Sequence, residues 1–510
     1  MRPTAPSFTS TLSQSVDKAS LNHYDEKQVP PTRSEEKRFY DDLAAKHGVN
    51  RTWLQWKMDL WIILPICLLY LLAFLDRVNI SNANAYGMGE DIGLKGQQFE
   101  IALAIFFVPY VVFEIPANWL LKALSPHIFL PLCLIGFGCI NIGQGFVRNY
   151  HDLIVTRVLL GLMETAMFPA CFYLLASWYT RAEAQKRYSF FFCSTSLAGA
   201  FGGLIAYGCN NFHNRFGIAG WQWLFIVEGA ITAFCGLLLF FLIADFPEQA
   251  KFLKPNELAY VKEKLILDQG DAKFEHKVGL SDIASAFKDW KTYMAAFMYF
   301  GQVVGAYGYA YFSVAIIKTF GYSPVQVQIH SIYPWICAFG ASMIFAICSD
   351  YTRHRYAYTL VLAIIAIVGF AILLGTDASL ENRHARYAAC FLIATGLYSG
   401  MPLIICWNNM NLSGHARKMT VSAFQVGFGN IGGIISPFAY AKNNTAYTQG
   451  NGVSLGLLGF SMITCAIYFV GIMKENRDRD NGKGVEEFNQ LSEKEKEASG
   501  DQNPSFRYMY

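Results

Sequence analysis

The chain has 510 residues, 53% of them hydrophobic and 15% aromatic, with a formal net charge of +3. Only 15% are charged, against roughly 25% in a soluble domain, so it lacks the residues that would cover a water-facing surface of this size. Disordered, collagenous and disulfide-scaffold classes are excluded, the small net charge argues against a nucleic-acid partner, and what remains is a polytopic membrane protein.

Residues 1–57 are polar, with Ser, Thr, Pro and mixed charge, and read as a disordered tail rather than a signal peptide. A membrane-crossing helix needs about 20 mostly apolar residues. Twelve such runs follow: 58–79, 99–121, 128–147, 152–178, 188–210, 221–245, 292–318, 327–349, 355–375, 385–410, 419–440 and 453–473. The stretch 247–291 reads as a charged linker with short amphipathic helices, and 474–510 as a second disordered tail. The twelve cysteines all lie in apolar runs with no C-x-x-C pair, as small packing residues do. With both tails in the cytoplasm, tails and even-numbered loops carry 32 of the 41 basic residues, the bias expected of cytoplasmic segments.

An internal repeat divides the chain six plus six. Gly202-Gly203 in the fifth run recurs as Gly432-Gly433 in the eleventh, and Arg187 maps onto Arg417 at the same offset. Residues 58–246 and 292–473 thus read as two related six-helix bundles. The fold class is all-α, twelve spans in two pseudo-symmetric bundles around a central cavity.

A charge inside a span is costly unless it meets a cavity or a partner. Six stand out: Asp76 and Arg77 in the first run, Glu114 in the second, Arg157 and Glu164 in the fourth, and Glu228 in the sixth. Arg157 and Glu164 are seven apart and share one helix face about 10 Å apart along the axis. A carboxylate whose cation an anionic substrate can borrow is a proton-coupling device; a fixed interhelical ion pair is the alternative use of the same residues.

The run Leu75-Asp76-Arg77-Val78-Asn79-Ile80-Ser81-Asn82 and the stretch from Arg157 through Gly161 and Glu164 to Phe168-Pro169-Ala170 resemble the anion:cation symporter family within the major facilitator superfamily. Tyr110 to Trp119, Trp221 to Gly229 and Gly414 to Lys418 are similar to its fungal allantoate permease branch. The run from Gly321 to Ser331 and the turn Ser349 to Arg355 resemble the branch's nicotinate-transporter-like members. The resemblance implies that Arg77 meets a substrate carboxylate, that Asp76 and Glu164 carry protons, and that Arg157 controls Glu164. Where the superfamily has an acidic residue after its second span this chain has Asn118, which puts a charged cytoplasmic gate in doubt for the first half. Asp350 with Arg353 and Arg355 keeps one open in the second.

Softer candidates complete the site. Glu114 stands one turn from Tyr110 and beside Pro116, where a kink would expose it, although a helix–helix hydrogen bond is the other use. Tyr307 and Tyr311, one turn apart, and the amides Asn408 and Asn409 suit the far wall of a cavity for a planar or hydroxylated carboxylate. Glu228 and the glycines of the fifth and eleventh runs read as packing. The expected function is uptake of a small organic anion such as nicotinate, pantothenate, allantoate or a sugar acid, coupled to protons, by a monomer in the plasma membrane. It needs no cofactor, metal or nucleic acid and is not an enzyme. Export of an acidic metabolite is the alternative on the same fold, and a non-transporting nutrient receptor a third.

Overall fold

The computed structural model describes residues 33–114, 116–117, 120, 124–165, 167–244, 246–269, 286–352, 354–412, 415–441, 447–483, 485–490, 503–504 and 506–510. With no water to satisfy a peptide group inside lipid, a spanning segment closes its hydrogen bonds within itself as a helix or in a closed barrel; among the described residues there is helix and no strand. Arg33–Lys46 (α1) precedes Arg51–Met58 (α2), whose start is capped by Asn50 accepting from Trp53 N at 3.1 Å. One π turn, Asp59–Ile63, leads into Leu64–Ala85 (α3). Met88–Asp91 (α4), Gln98–Ala104 (α5), Phe107–Val112 (α6), Pro126–Gln144 (α7), Tyr150–Glu164 (α8), Met167–Trp178 (α9), Arg181–Asn210 (α10) and Gly220–Leu242 (α11) follow. After Pro255–Gln269 (α12) come Trp290–Lys318 (α13), Pro324–Thr352 (α14), Arg355–Gly375 (α15), Arg383–Met410 (α16), His415–Ala439 (α17), Thr448–Asp480 (α18) and Val485–Asn489 (α19).

Among the described residues ten helices are long and apolar enough to cross a membrane, and the second and eleventh of the expected runs are not among them. The second run is described as α5 and α6, together Gln98–Val112, and part of its remainder lies outside the described residues. Pro109 has no N–H for the Ile105 carbonyl, which accepts instead from Val108 N at 3.3 Å. The fourth run, made by α8 and the start of α9, is one of the ten. Pro169 leaves the Thr165 carbonyl without its helical donor, and the Thr165 hydroxyl bonds back to Gly161 O at 2.7 Å. The eleventh run is one helix, α17, but Gln425, Asn430 and four glycines dilute its apolar character.

The glycine repeat has a physical meaning. Gly202 of α10 faces Asn79 of α3, and Gly432 of α17 faces Val304 of α13. Gly203 faces Ser331 of α14, and Gly433 faces the ring of Phe107 of α6. Each pair thus meets equivalent helices, one in its own half and one across the interface. Within the first half α7 lies so close to α11 that a methyl at Gly138 would stand 2.6 Å from the Gly229 carbonyl oxygen.

The described parts of both expected tails are structured, while residues 1–32 and 491–502 lie outside the described residues. Residues 33–57, read as disordered, form α1 and α2. Tyr40, Leu43 and Ala44 are buried, as are Tyr260, Val261 and Leu265 of α12, and Glu263 of α12 holds Lys46 at 2.7 Å and His47 at 2.6 Å. Lys57 reaches Glu257 at 2.7 Å, and Glu183 receives both Gln55 and Lys264 at 2.7 Å. Averaging composition over 57 residues hid two short helices. In the second tail α18 continues to Asp480, and residues 506–510 lie against the ends of α15, α16 and α18.

Candidate substrate site

Arg77 sits midway along α3, 2% exposed, with five aromatic rings around its guanidinium: Phe106 at 5.3 Å, Phe74 at 5.6 Å, Tyr110 at 5.7 Å, Tyr307 at 5.8 Å and Phe107 at 6.0 Å. Ring faces attract a cation, but rings alone do not repay the desolvation of a buried charge. The rest comes from Glu164 of α8, 1% exposed, which takes Arg77 in a two-point pair, Nη2 to Oε1 and Nε to Oε2 at 3.3 Å. The remaining Nη1 donates to the Tyr307 hydroxyl at 2.5 Å, and that hydroxyl donates on to Asn430 Oδ1 at 3.2 Å. A chain of four polar groups therefore runs from α8 through α3 in the first half to α13 and α17 in the second.

Beside it is a small cavity lined from both halves. Tyr70, Phe74, Arg77, Tyr110, Phe168, Phe192 and Thr195 form one wall, and Tyr299, Ala306, Tyr307, Tyr398, Met401, Pro402, Val426 and Asn430 the other. It is an aromatic box with one guanidinium and one amide presented to its contents.

The sequence-chosen residues divide into three groups. Arg77 and Tyr307 line the cavity; Tyr311 stacks behind Tyr307 at 5.9 Å. Asp76, Glu164 and Arg157 are buried but stand behind the wall. The expected partnership of Arg157 with Glu164 gives way to Arg77 with Glu164, because helix periodicity sets neighbours along one helix and α3 intervenes from another. Arg157 instead reaches the Arg77 carbonyl at 3.4 Å, and Asp76 accepts from Thr232 of α11 at 2.9 Å. Glu114 is 4% exposed and packs over Gly427 of α17, at the contact between the halves rather than in the cavity wall. The third group is a correction. Asn408 donates to Gln425 Oε1 at 2.8 Å and Asn409 accepts from Ser422, so both amides tie α16 to α17 away from the cavity. Of the proposed gate, Asp350 and Arg355 meet at 2.5 Å, while Asn118 and Arg353 lie outside the described residues.

Asn430 was missed. It sits among Gly427, Gly429, Gly432 and Gly433, a stretch assigned to packing, where a lone amide was the available signal. Tyr70, Tyr299 and Tyr398 looked like any tyrosines of a membrane helix. Among the described residues no group of three or more His, Cys, Asp or Glu side chains is placed to hold a metal ion.

The model of the Major Facilitator Superfamily matches residues 66–437, and the chain belongs to that superfamily of membrane transporters. Among curated relatives it is 32% identical over 460 residues to an uncharacterized transporter of Schizosaccharomyces pombe, covering 90% of this chain and 91% of that one. It is 30% identical over 474 residues to the high-affinity nicotinic acid transporter of Saccharomyces cerevisiae (92% and 86%) and 30% identical over 487 residues to the MFS-type transporter cnsO of Penicillium expansum (93% and 94%). Among solved structures, a bacterial homolog of the human lysosomal transporter Spinster, inward-facing and unoccupied, superposes with a TM-score of 0.59 at 16% identity, over 82% of this chain and 97% of that one. That likeness shows the fold.

Proposed function

We propose that the chain takes up a small organic anion together with protons by alternating access, in the manner of the anion:cation symporters of the nicotinate-transporter-like branch. The observation that carries this is the Arg77 guanidinium at the cavity wall, already held by a carboxylate. With Glu164 ionised, Arg77 is satisfied and an incoming carboxylate has no cation to bind. A proton on Glu164 removes the competing charge, and a substrate carboxylate takes its place on the same fork. Proton loading and anion docking are then one exchange of partners, and the buried charge stays balanced while the halves rock. Asp76, close behind, supplies a second protonatable group. A monoanion moving with two protons carries one net positive charge inward, worth about 2.3 kcal/mol per 100 mV.

The box around Arg77 suits a flat or aromatic monocarboxylate, since ring faces stack on such a body while the fork takes its charge; the nicotinic acid transporter among the relatives agrees with that class. On this reading both tails are cytoplasmic and the protein is a monomer of the plasma membrane. The test is uptake of a panel of radiolabelled monocarboxylates, nicotinate included, at acid and neutral pH in cells lacking their own permeases. Arg77→Ala abolishes saturable uptake without loss of membrane insertion; normal uptake in that variant overturns the docking role.

A further inference from the structure

The last described residues are held on the tail-bearing face of the second half by a set of contacts that resembles a peptide site more than a loose end. Asn411, at the end of α16, makes two hydrogen bonds to the backbone of one residue, donating to Met509 O at 3.0 Å and accepting from Met509 N at 2.7 Å. Asn476 of α18 repeats the arrangement on the preceding residue, donating to Tyr508 O and accepting from Tyr508 N, both at 2.9 Å. Trp407 Nε1 donates to Met509 O at 2.9 Å, and Arg355 N donates to the main-chain oxygen of Tyr510 at 2.6 Å. The Tyr508 ring is 3% exposed and lies against two cations, Arg479 at 4.5 Å and Lys291 at 4.6 Å, while Arg479 also donates to its hydroxyl at 2.9 Å. Asn411, Asn476 and Trp407 are 1%, 5% and 0% exposed, and a buried amide or indole N–H that loses its partner is strongly penalised. The bundle end is thus built around an occupant.

What the segment holds matters for the cavity. Pro402 interrupts α16 by withholding an N–H from the Tyr398 carbonyl, which accepts from the Ser342 hydroxyl of α14 at 3.1 Å instead. Tyr398, Met401 and Pro402 all line the cavity. Beyond the proline, α16 runs about 14 Å to Asn411, and the contacts to the segment fall on Trp407 and Asn411 of that half. Lys291 extends the connection: it reaches Glu475 at 2.8 Å and Asp289 at 3.2 Å, and Asp289 pairs with Arg417 of α17, the helix facing the first half.

We propose that the segment 506–510 is an intramolecular strap. Docked, it fixes the half of α16 beyond Pro402 and keeps the cavity shut toward the tail-bearing face; undocked, it lets that half-helix swing about the proline. Strap release is a switch on transport. The inference rests on the alternating-access reading and not on the identity of the substrate.

The test is amide hydrogen exchange on the full chain in lipid nanodiscs, compared with Tyr508→Ala and with a chain ending at Gln502, each without any substrate. Exchange over residues 403–411 accelerates at least tenfold in both variants, while residues 135–145 at the α7–α11 crossing keep their protection. A synthetic peptide of residues 503–510 added to the shortened chain restores slow exchange, and Asn411→Ala or Asn476→Ala weakens its binding at least tenfold by fluorescence anisotropy. Unchanged exchange over 403–411 in the shortened chain, or peptide binding that does not slow it, overturns the proposal. So does acceleration spread equally over α7 and α11, which marks general loosening rather than a local strap. An uptake panel that finds no organic anion leaves these readouts untouched.

Discussion

Replacing Glu164 by Gln isolates the exchange of partners at Arg77. The wild-type pair is two-point and buried on both sides, 2% exposed at each side chain. Removing one member of such a pair costs about 3–5 kcal/mol, chiefly because the surviving charge is left uncompensated. In Glu164→Gln that charge keeps only neutral partners, the Tyr307 hydroxyl, five ring faces and the oxygen of the new amide. The variant is therefore less stable alone, yet a carboxylate in the cavity now supplies what is missing. Recovering most of the lost energy corresponds to about 10²- to 10³-fold tighter anion binding than in the wild type at neutral pH, since each 1.4 kcal/mol is a factor of ten. The assay is thermal stabilisation of purified protein by nicotinate or the best anion of the panel, between pH 5 and 8, alongside flux in proteoliposomes. Wild-type stabilisation strengthens toward acid pH, while that of the variant is strong and flat. Counterflow exchange persists in the variant and proton-driven accumulation is lost. Accumulation that survives, or binding that keeps the wild-type pH dependence, refutes Glu164 as the competing anion.

Two further outcomes follow from the same geometry. Tyr307→Phe removes the 2.5 Å bond to Arg77 and the link to Asn430; a hydrogen bond to a charged group is worth about 1.5–3 kcal/mol, so anion affinity changes by about tenfold or more while the pH profile, set by Glu164, keeps its shape. An unchanged affinity removes Tyr307 from the site. On the tail-bearing face, burial works against the Glu183 carboxylate, but the Lys264 ammonium and then Arg187 and Gln55 more than compensate, pulling it from its ordinary 4.5 to about 2. A depressed carboxylate stabilises the fold above its unfolded value, and that contribution, about 3 kcal/mol by linkage, fades as pH falls from 4.5 toward 2. Lys264→Ala removes the largest favourable part of this contribution, so protection of α12 amides in hydrogen exchange becomes weaker at neutral pH and less sensitive to acid over that window; wild-type protection in the variant contradicts it.

Much of the molecule is legible in the sequence alone. Sparse charge and long apolar runs dictate membrane helices because lipid offers a backbone no other donor or acceptor, and the recurring glycine pair announced two halves whose equivalent helices meet. The place of Arg77 beside a cavity and a partner was legible as well, since a guanidinium inside an apolar run is costly without one. Other features needed spatial neighbours that lie far apart in the chain. Helix spacing joined Glu164 to Arg157, seven residues away, whereas the folded chain joins it to Arg77, 87 positions away. Asn408 and Asn409 looked like cavity amides until α17 supplied partners for both, and Asn430 looked like packing until Tyr307 reached it. The two tails show the same division: composition reports whether a segment can bury itself alone, and Tyr40 and Tyr508 are buried because other parts of the chain provide the surface. Periodicity along the sequence determines which face a side chain takes; only the folded arrangement of helices decides what that face meets, because contact energies between residues hundreds of positions apart leave no regular spacing to read.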